Sequence, residues 1–265
     1  MTVVGRRAAA AVSREEAHSS VADQFWVLLR MQLARVRLAW RRYLIVSSAM
    51  PLGITILLRV RGPAPQSQGL QFVAGDVVLA VALSALTFLA QRVAWMKANR
   101  AFDYYNTLPT STILLLLAIF VSYFAFAIPG MIAIAVVGGL IYGLPLSASV
   151  DILWVLPTLF CGGIALAGLG ALIGLAGRDE QLAGTYANLA MMAVLFLGIV
   201  PENDFPQAMR VVLGIIPSTY MVDSLKLGLV GSIRLGALSV DLLACALFAA
   251  VVMLGSARAL QVRSE

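Results

Sequence analysis

From Ile113 to Ile141 the chain runs without a charged side chain, and five further stretches come close to doing the same. The six runs are Tyr43–Leu58, Phe72–Ala90, Ile113–Ile141, Ile152–Ala176, Leu182–Val200 and Leu242–Ala257, and Asp76 is the one Asp, Glu, Lys or Arg inside them. A helix needs roughly 20 apolar residues to cross a hydrocarbon core of about 30 Å. Lipid offers no partner for an open backbone, so spans of this length are helical. The totals agree: of 265 residues 61% are hydrophobic and 12% charged, with a mean hydropathy of +0.92. A soluble domain carries about 25% charged residues. The expectation is an all-α integral membrane protein with six transmembrane helices and no room for a large soluble module. The first run is short and contains Pro51 and Gly53, and the third contains Pro129-Gly130, where a kink or tilt is expected.

The charge of +6 fits a membrane surface better than nucleic acid, because basic residues collect on the cytoplasmic side. Residues 1–22 read as a flexible cytosolic tail holding the one histidine, His18, and residues 23–265 as a single transmembrane domain. Within 23–42 an amphipathic helix is expected. Phe25, Trp26, Leu29, Leu33, Val36 and Trp40 share one quadrant at 100° per residue, with Arg30, Arg35, Arg37, Arg41 and Arg42 on the rest. That pattern suits a helix lying among lipid headgroups, the alternative being a stalk continuing the first span. With the amino terminus in the cytosol, six spans leave Arg59, Arg61, Arg210, Lys226 and Arg234 outside. The other fourteen of the 19 basic residues then lie inside, so both termini are expected to be cytosolic.

The stretch Gly198–Gly231 resists that simple scheme. It is apolar at both ends, broken by Pro201, Pro206 and Pro217, and carries Glu202, Asp204, Arg210, Asp223 and Lys226. As a seventh span it would place charges at a cost of about 2.5–3.5 kcal/mol each at the centre. Two short helices, Gln207–Ile216 and Thr219–Val230, fit better, hinged at Pro217-Ser218 with Ser218 as cap. Each would rise about 15–18 Å, half a bilayer. The expectation is a short re-entrant or extracellular helical hairpin over 201–235, between helices 5 and 6, with Pro217 and Tyr220 as outer hinge and gate.

Several chemistries lack their residues. One histidine and two separated cysteines provide no His/Cys metal cluster, so no metal site is expected. Cys161 and Cys245 sit in apolar runs and read as small hydrophobes. Neither lysine, Lys97 or Lys226, follows a glycine, so there is no P-loop for ATP. Asp76, Asp151 and Asp241 fall at outer span ends, where water is expected to reach them, which leaves no titratable group deep in the bundle for a proton relay. Uphill movement would therefore draw energy from a partner. The loop 91–112 mixes Trp95, Phe102, Tyr104 and Tyr105 with Arg92, Lys97, Arg100 and Asp103, as a protein-docking surface does. Gly163, Ala167 and Ala171, with Gly170 and Gly174, form small-residue rows for close helix packing. Phe120, Tyr123, Asn188, Met192 and Phe196 are candidates for lining a substrate path, or equally for core and lipid-facing positions.

The layout resembles the membrane subunit of type-2 ABC exporters along the whole length. Two stretches carry the likeness. MKANRAFDYYNTLPTSTILLL looks like the coupling-helix region that ends in Leu-Pro before the third span, although Asn99-Arg100-Ala101-Phe102 replaces an acidic-Arg-x-Gly start. GIVPENDFPQAMRVVLGIIPSTYMVDSLKLGLVG looks like the Gly-x-x-Pro to Pro-x-Thr-Tyr signature, with Lys226 where arginine is commoner. The resemblance implies a non-enzymatic permease in a bacterial plasma membrane, working with two copies of an ABC-type ATPase and a second permease copy, identical or homologous. ATP and Mg would be bound by the ATPase, with no cofactor in this chain. Arg100, Phe102, Asp103, Tyr104 and Tyr105 would dock on it. The size and lack of a large outer domain look most like the antibiotic- and drug-efflux branch, with a lipid or glycan exporter as the alternative. A non-transporting membrane enzyme or assembly factor is the rival from another class.

Overall fold

The computed structural model describes residues 20–38, 40–60, 62, 65–106, 111–144, 150–199, 216–230 and 235–261. Among them the regular structure is helical throughout. The order is α1 (Val21–Leu38), α2 (Trp40–Val60), α3 (Gln66–Ala98), α4 (Ala101–Asn106), α5 (Thr112–Tyr142), α6 (Val150–Ala176), α7 (Glu180–Ile199), α8 (Pro217–Val230) and α9 (Leu235–Gln261). Four helices are long and apolar enough to cross a membrane: Gln66–Ala98, Thr112–Tyr142, Val155–Ala176 and Gly236–Ser256. The two other expected spans fall on α2 and α7, which are helical but outside that set. We name the ends of the bundle after the glycines that close α5 and α6, Gly143 and Gly177.

The termini of the elements follow local chemistry. Ser20 opens α1 through a reciprocal capping box: its hydroxyl accepts from the Asp23 amide at 3.1 Å, and Asp23 accepts from the Ser20 amide at 3.2 Å. The helix therefore starts two residues before the boundary expected at Asp23. Ser111 accepts from the Leu114 amide at the start of α5. Gly143 ends that helix at φ +62, and Leu144 donates back to the Gly139 carbonyl at 2.9 Å, a closure that needs the left-handed residue glycine tolerates. Pro129 lies inside one continuous helix, and beside it Gly130 lets Ser48 of α2 come close.

The axis of the bundle is α3. Every residue from Val73 to Thr87 is buried, and α2, α5, α6, α7 and α8 all pack on it. A helix that is apolar on all sides belongs at the centre. Leu83–Phe88 within it is π-helical, a local widening often found at functional sites. Apolar contact gains little against lipid, so close approach comes from small residues. A side chain at Gly170 would meet the Ala85 carbonyl at 2.6 Å and one at Gly174 the Ala90 carbonyl at 2.5 Å, while Gly163 leaves room for Phe120. The small-residue rows of α6 thus pack inside the chain. On the far side α6 packs most extensively on α9, whose other face bears exposed Leu243, Leu247, Val251 and Leu254.

Candidate functional site

The expected docking loop is mostly ordered helix. Residues 91–98 continue α3, Asn99 and Arg100 make the turn, and α4 follows. Arg100 sits at φ +52, where a helix end ordinarily uses glycine. The aromatics expected to be exposed here are mainly not. Tyr104 is 59% exposed, whereas Tyr105 is buried and Phe102 and Trp95 are half-buried against the core. Tyr105 is held from behind, its hydroxyl accepting from Gln32 of α1 at 3.3 Å and its ring meeting Tyr104 edge-on at 5.6 Å. The Asp103 side chain lies outside the described residues.

This contact also changes the reading of α1. Leu28, Leu29, Gln32 and Val36 are buried and α1 packs on α5, so the helix is docked on the bundle. Trp26, at one edge of the expected quadrant, stands exposed, and so does Trp40, which opens α2. Nearby, the Lys97 ammonium donates to the carbonyls of Leu175 at 2.9 Å and Gly177 at 3.0 Å, capping the carboxyl end of α6.

Between α1, α2, α3, α5 and α7 lies a cavity of about 200 Å³ at the Gly177 end. One wall is aromatic: Tyr43, Phe88 and Tyr123 meet edge-on or tilted with centroids 5.0–5.7 Å apart. The other is cationic. Arg92 is 9% exposed, and its guanidinium carbon stands 4.5 Å from the centroid of the Trp95 ring, with that of Arg35 at 5.6 Å. Among the described residues Nε and Nη2 of Arg92 find no hydrogen-bond partner. Gln91 and Glu180 complete the rim and also belong to a second, polar cavity of about 450 Å³ with Gln181, Gly184, Thr185 and Asn188. Asn188 is further reached by the Thr87 hydroxyl at 3.3 Å, from within the π-helical turn.

The five path candidates are therefore not one surface. Tyr123 and Asn188 lie in the walls of adjoining cavities, Phe120 is sealed in the core beside Phe124 and Phe160, and Met192 and Phe196 are exposed on α7. The sequence puts Arg35 on the polar face of the expected interfacial helix and Arg92 in the expected docking loop, with nothing to bring the two together. The available signal was the Arg92–Trp95 spacing of three, which places both on one helix face.

Toward the Gly143 end the structure overturns the expected wetness of the aspartates. Asp76 is fully buried about 15 Å along α3, where it accepts from Thr55 of α2 and its Oδ1 has no partner. The Tyr142 hydroxyl donates to the Thr55 carbonyl at 3.2 Å. Asp241 is also buried, accepting from Ser224 at 2.9 Å. The water-exposed reading failed because both face neighbouring helices. Asp151's side chain lies outside the described residues.

The helix α8 starts at Pro217 itself, as proline at the first helical position favours. Ser218 lies inside it with a buried hydroxyl lacking a partner, so it is not the expected cap. Pro217 is buried with its carbonyl accepting from the Cys245 thiol at 3.7 Å, Tyr220 is half-buried, and Leu229 packs with Val73 and Tyr142. Packed on α6, α9, α3 and α7, α8 runs from the middle of the bundle at Pro217 toward the Gly143 end. The expected first hairpin helix, Gln207–Ile216, falls outside the described residues except at its last one.

Residues 41–258 match the model of a family described as ABC-2 family transporter protein. The chain belongs to that family. As an ABC-2 protein it is a membrane-embedded permease subunit of an ABC transporter, from a family that works with an ABC ATPase and whose membrane subunits are generally not catalytic themselves. The match takes in α2 through α8 and most of α9, and therefore Arg92 and Trp95; α1 with Arg35 precedes it. No curated protein matches the chain.

Proposed function

We propose that this ABC-2 permease exports an amphipathic small molecule, of the drug or antibiotic kind, across a bacterial plasma membrane. In this reading it has six spans with both termini and the Gly177 end in the cytosol. Two ATPase copies and a second permease copy, identical or homologous, complete the assembly. ATP and Mg stay with the ATPase. The contact runs through α4, and the observation that carries it is Tyr104: an exposed ring on a short helix braced from behind by Tyr105 and Gln32. Arg100, at the preceding turn and exposed, adds charge beside it, while Phe102 and Tyr105 set the helix in place. Pro217 and Tyr220, at the mid-bundle start of α8, form the hinge and gate of a re-entrant segment that opens toward the opposite end.

Tyr104→Ala is expected to weaken co-purification with the ATPase severalfold while membrane insertion and elution profile stay the same. Undiminished co-purification and transport would remove α4 from the contact. For topology, a cysteine replacing Lys226 is expected to react with a membrane-impermeant thiol reagent from outside intact cells. Labelling only after the cytosolic face is opened would invert the bundle and with it the exporter layout.

A further inference from the structure

We propose that the cavity at the Gly177 end binds the acidic head of an anionic amphiphile, with Arg92 and Arg35 holding a phosphate or carboxylate and Tyr43, Phe88 and Tyr123 receiving its apolar body. The inference deepens the exporter reading, on which its assignment as cargo site rests, by naming the chemical class of ligand.

Among the described residues no carboxylate lies within ion-pair distance of the cationic wall. A buried charge is ordinarily paired or fully hydrogen-bonded, because leaving it otherwise costs several kcal/mol. Arg92 is nine-tenths buried, yet two of its nitrogens have no partner. Its fellow cation one and a half turns on, Lys97, is satisfied by two carbonyls. Glu180 is at the rim but within ion-pair distance of neither arginine; among the described residues the one ion pair is Lys226 with Asp223. A guanidinium presents its donors as a planar fork that suits carboxylate and phosphate oxygens. Stacking on Trp95 fixes that fork in advance, so little ordering remains on binding.

The walls define the rest of the ligand. About 200 Å³ accommodates an acidic head and the first part of its body, not a folded chain segment from a partner. The three rings offer edges and faces to apolar groups, and the shared rim of Gln91 and Glu180 opens toward the larger polar cavity, which leaves space for polar substituents. A cation would meet two arginines here and gain only Glu180.

The test uses the full chain in nanodiscs of zwitterionic phosphatidylcholine, with Trp26, Trp40 and Trp154 changed to Phe so that Trp95 is the reporter. Dodecyl phosphate is titrated in, and a saturable change in emission is expected. Arg92→Met should weaken it roughly tenfold to a hundredfold, the range of a lost charge-assisted hydrogen bond. Arg92→Lys, which keeps the charge without the fork, should fall between. Dodecyltrimethylammonium should fail to compete, and inorganic phosphate should bind at least roughly tenfold more weakly for want of contacts to the rings.

Equal binding of the quaternary ammonium, or unchanged affinity in a monodisperse Arg92→Met protein, would overturn the site. Should Arg92→Met not elute as a folded species, the competition and the Arg92→Lys titration still decide. Phosphate binding as tightly as dodecyl phosphate would overturn the role of the aromatic wall. Phosphatidylglycerol added to the discs separates two sources of the same chemistry: displacement supports a resident lipid headgroup, no displacement a single-chain cargo. The titration needs no ATPase, so its failure is distinct from failure of the Tyr104→Ala co-purification test.

Discussion

Two buried charged side chains on α3, sixteen positions apart, sit in opposite circumstances. Asp76 is sealed among α2, α3 and α5, tied to Thr55, and reinforced by Tyr142 on the same strip of backbone. Arg92 is buried nearly as deeply but faces a cavity, touches an indole, and leaves two donors unused. A polar group closed into protein on every side can only serve the packing around it. One that opens on space retains its bonding capacity for something that arrives. The contrast predicts that changes around Asp76 cost stability with little effect on ligand, and that changes at Arg92 do the reverse.

The largest effect is expected from Thr55→Val. It keeps the shape but removes the Thr55 donor to Asp76, leaving both buried carboxyl oxygens without a partner among the described residues, at a cost of about 1–3 kcal/mol. A clear fall in melting temperature of the purified protein should follow, with Thr55→Ser restoring most of it. Binding of dodecyl phosphate by the folded fraction should be unchanged. If Thr55→Val melts like the parent, the Asp76 corner is not a structural tie, and its buried carboxyl would need another explanation.

Lys97→Met comes next and sharpens the comparison from the other end. Lys97 shares the cationic end of α3 with Arg92 but spends its charge on the final carbonyls of α6. Losing that cap should cost about 1 kcal/mol, the usual scale for a cation at a helix carboxyl terminus. The predicted pattern is a lower melting temperature with intact ligand affinity. Affinity falling as far as in Arg92→Met would mean that the two cations act as one site.

How far such roles could be foreseen depended on the kind of signal. The apolar runs marked α3, α5, α6 and α9 because length against bilayer thickness is a property of sequence alone. The glycine rows of α6 were legible for the same reason: spacing of four puts them on one face, and the structure fills that face with α3 carbonyls. Partnership across helices was not legible. Asp76 was expected to be wet because it lies near a span end in the sequence, whereas its helix begins at Gln66 and carries it inward. Tyr105 and Tyr104 are adjacent and chemically alike, yet one is buried under Gln32 and the other exposed. Arg35 is on α1 and Arg92 near the end of α3, with all of α2 and most of α3 between them in the sequence, so nothing local linked them. A composition rule sees positive charge there and not the absence of its partner.

The smallest stability effect belongs to Arg92→Met, and its smallness is the point. Removing the guanidinium forfeits its contact with Trp95, worth about 0.5–2 kcal/mol. It also removes an unpaired charge from a mostly buried position, and exchanging such groups for apolar ones of similar volume is often neutral or stabilising. Methionine fills much of the same space with a flexible chain. The two terms oppose each other, so the melting temperature should move little in either direction, while Lys97→Met and Thr55→Val both lower it. A large loss of stability in Arg92→Met would show that the guanidinium braces the bundle as Thr55 does, and the contrast between the two ends of α3 would collapse. A small shift together with the loss of dodecyl phosphate binding would leave Arg92 as a residue retained for its ligand and not for the fold.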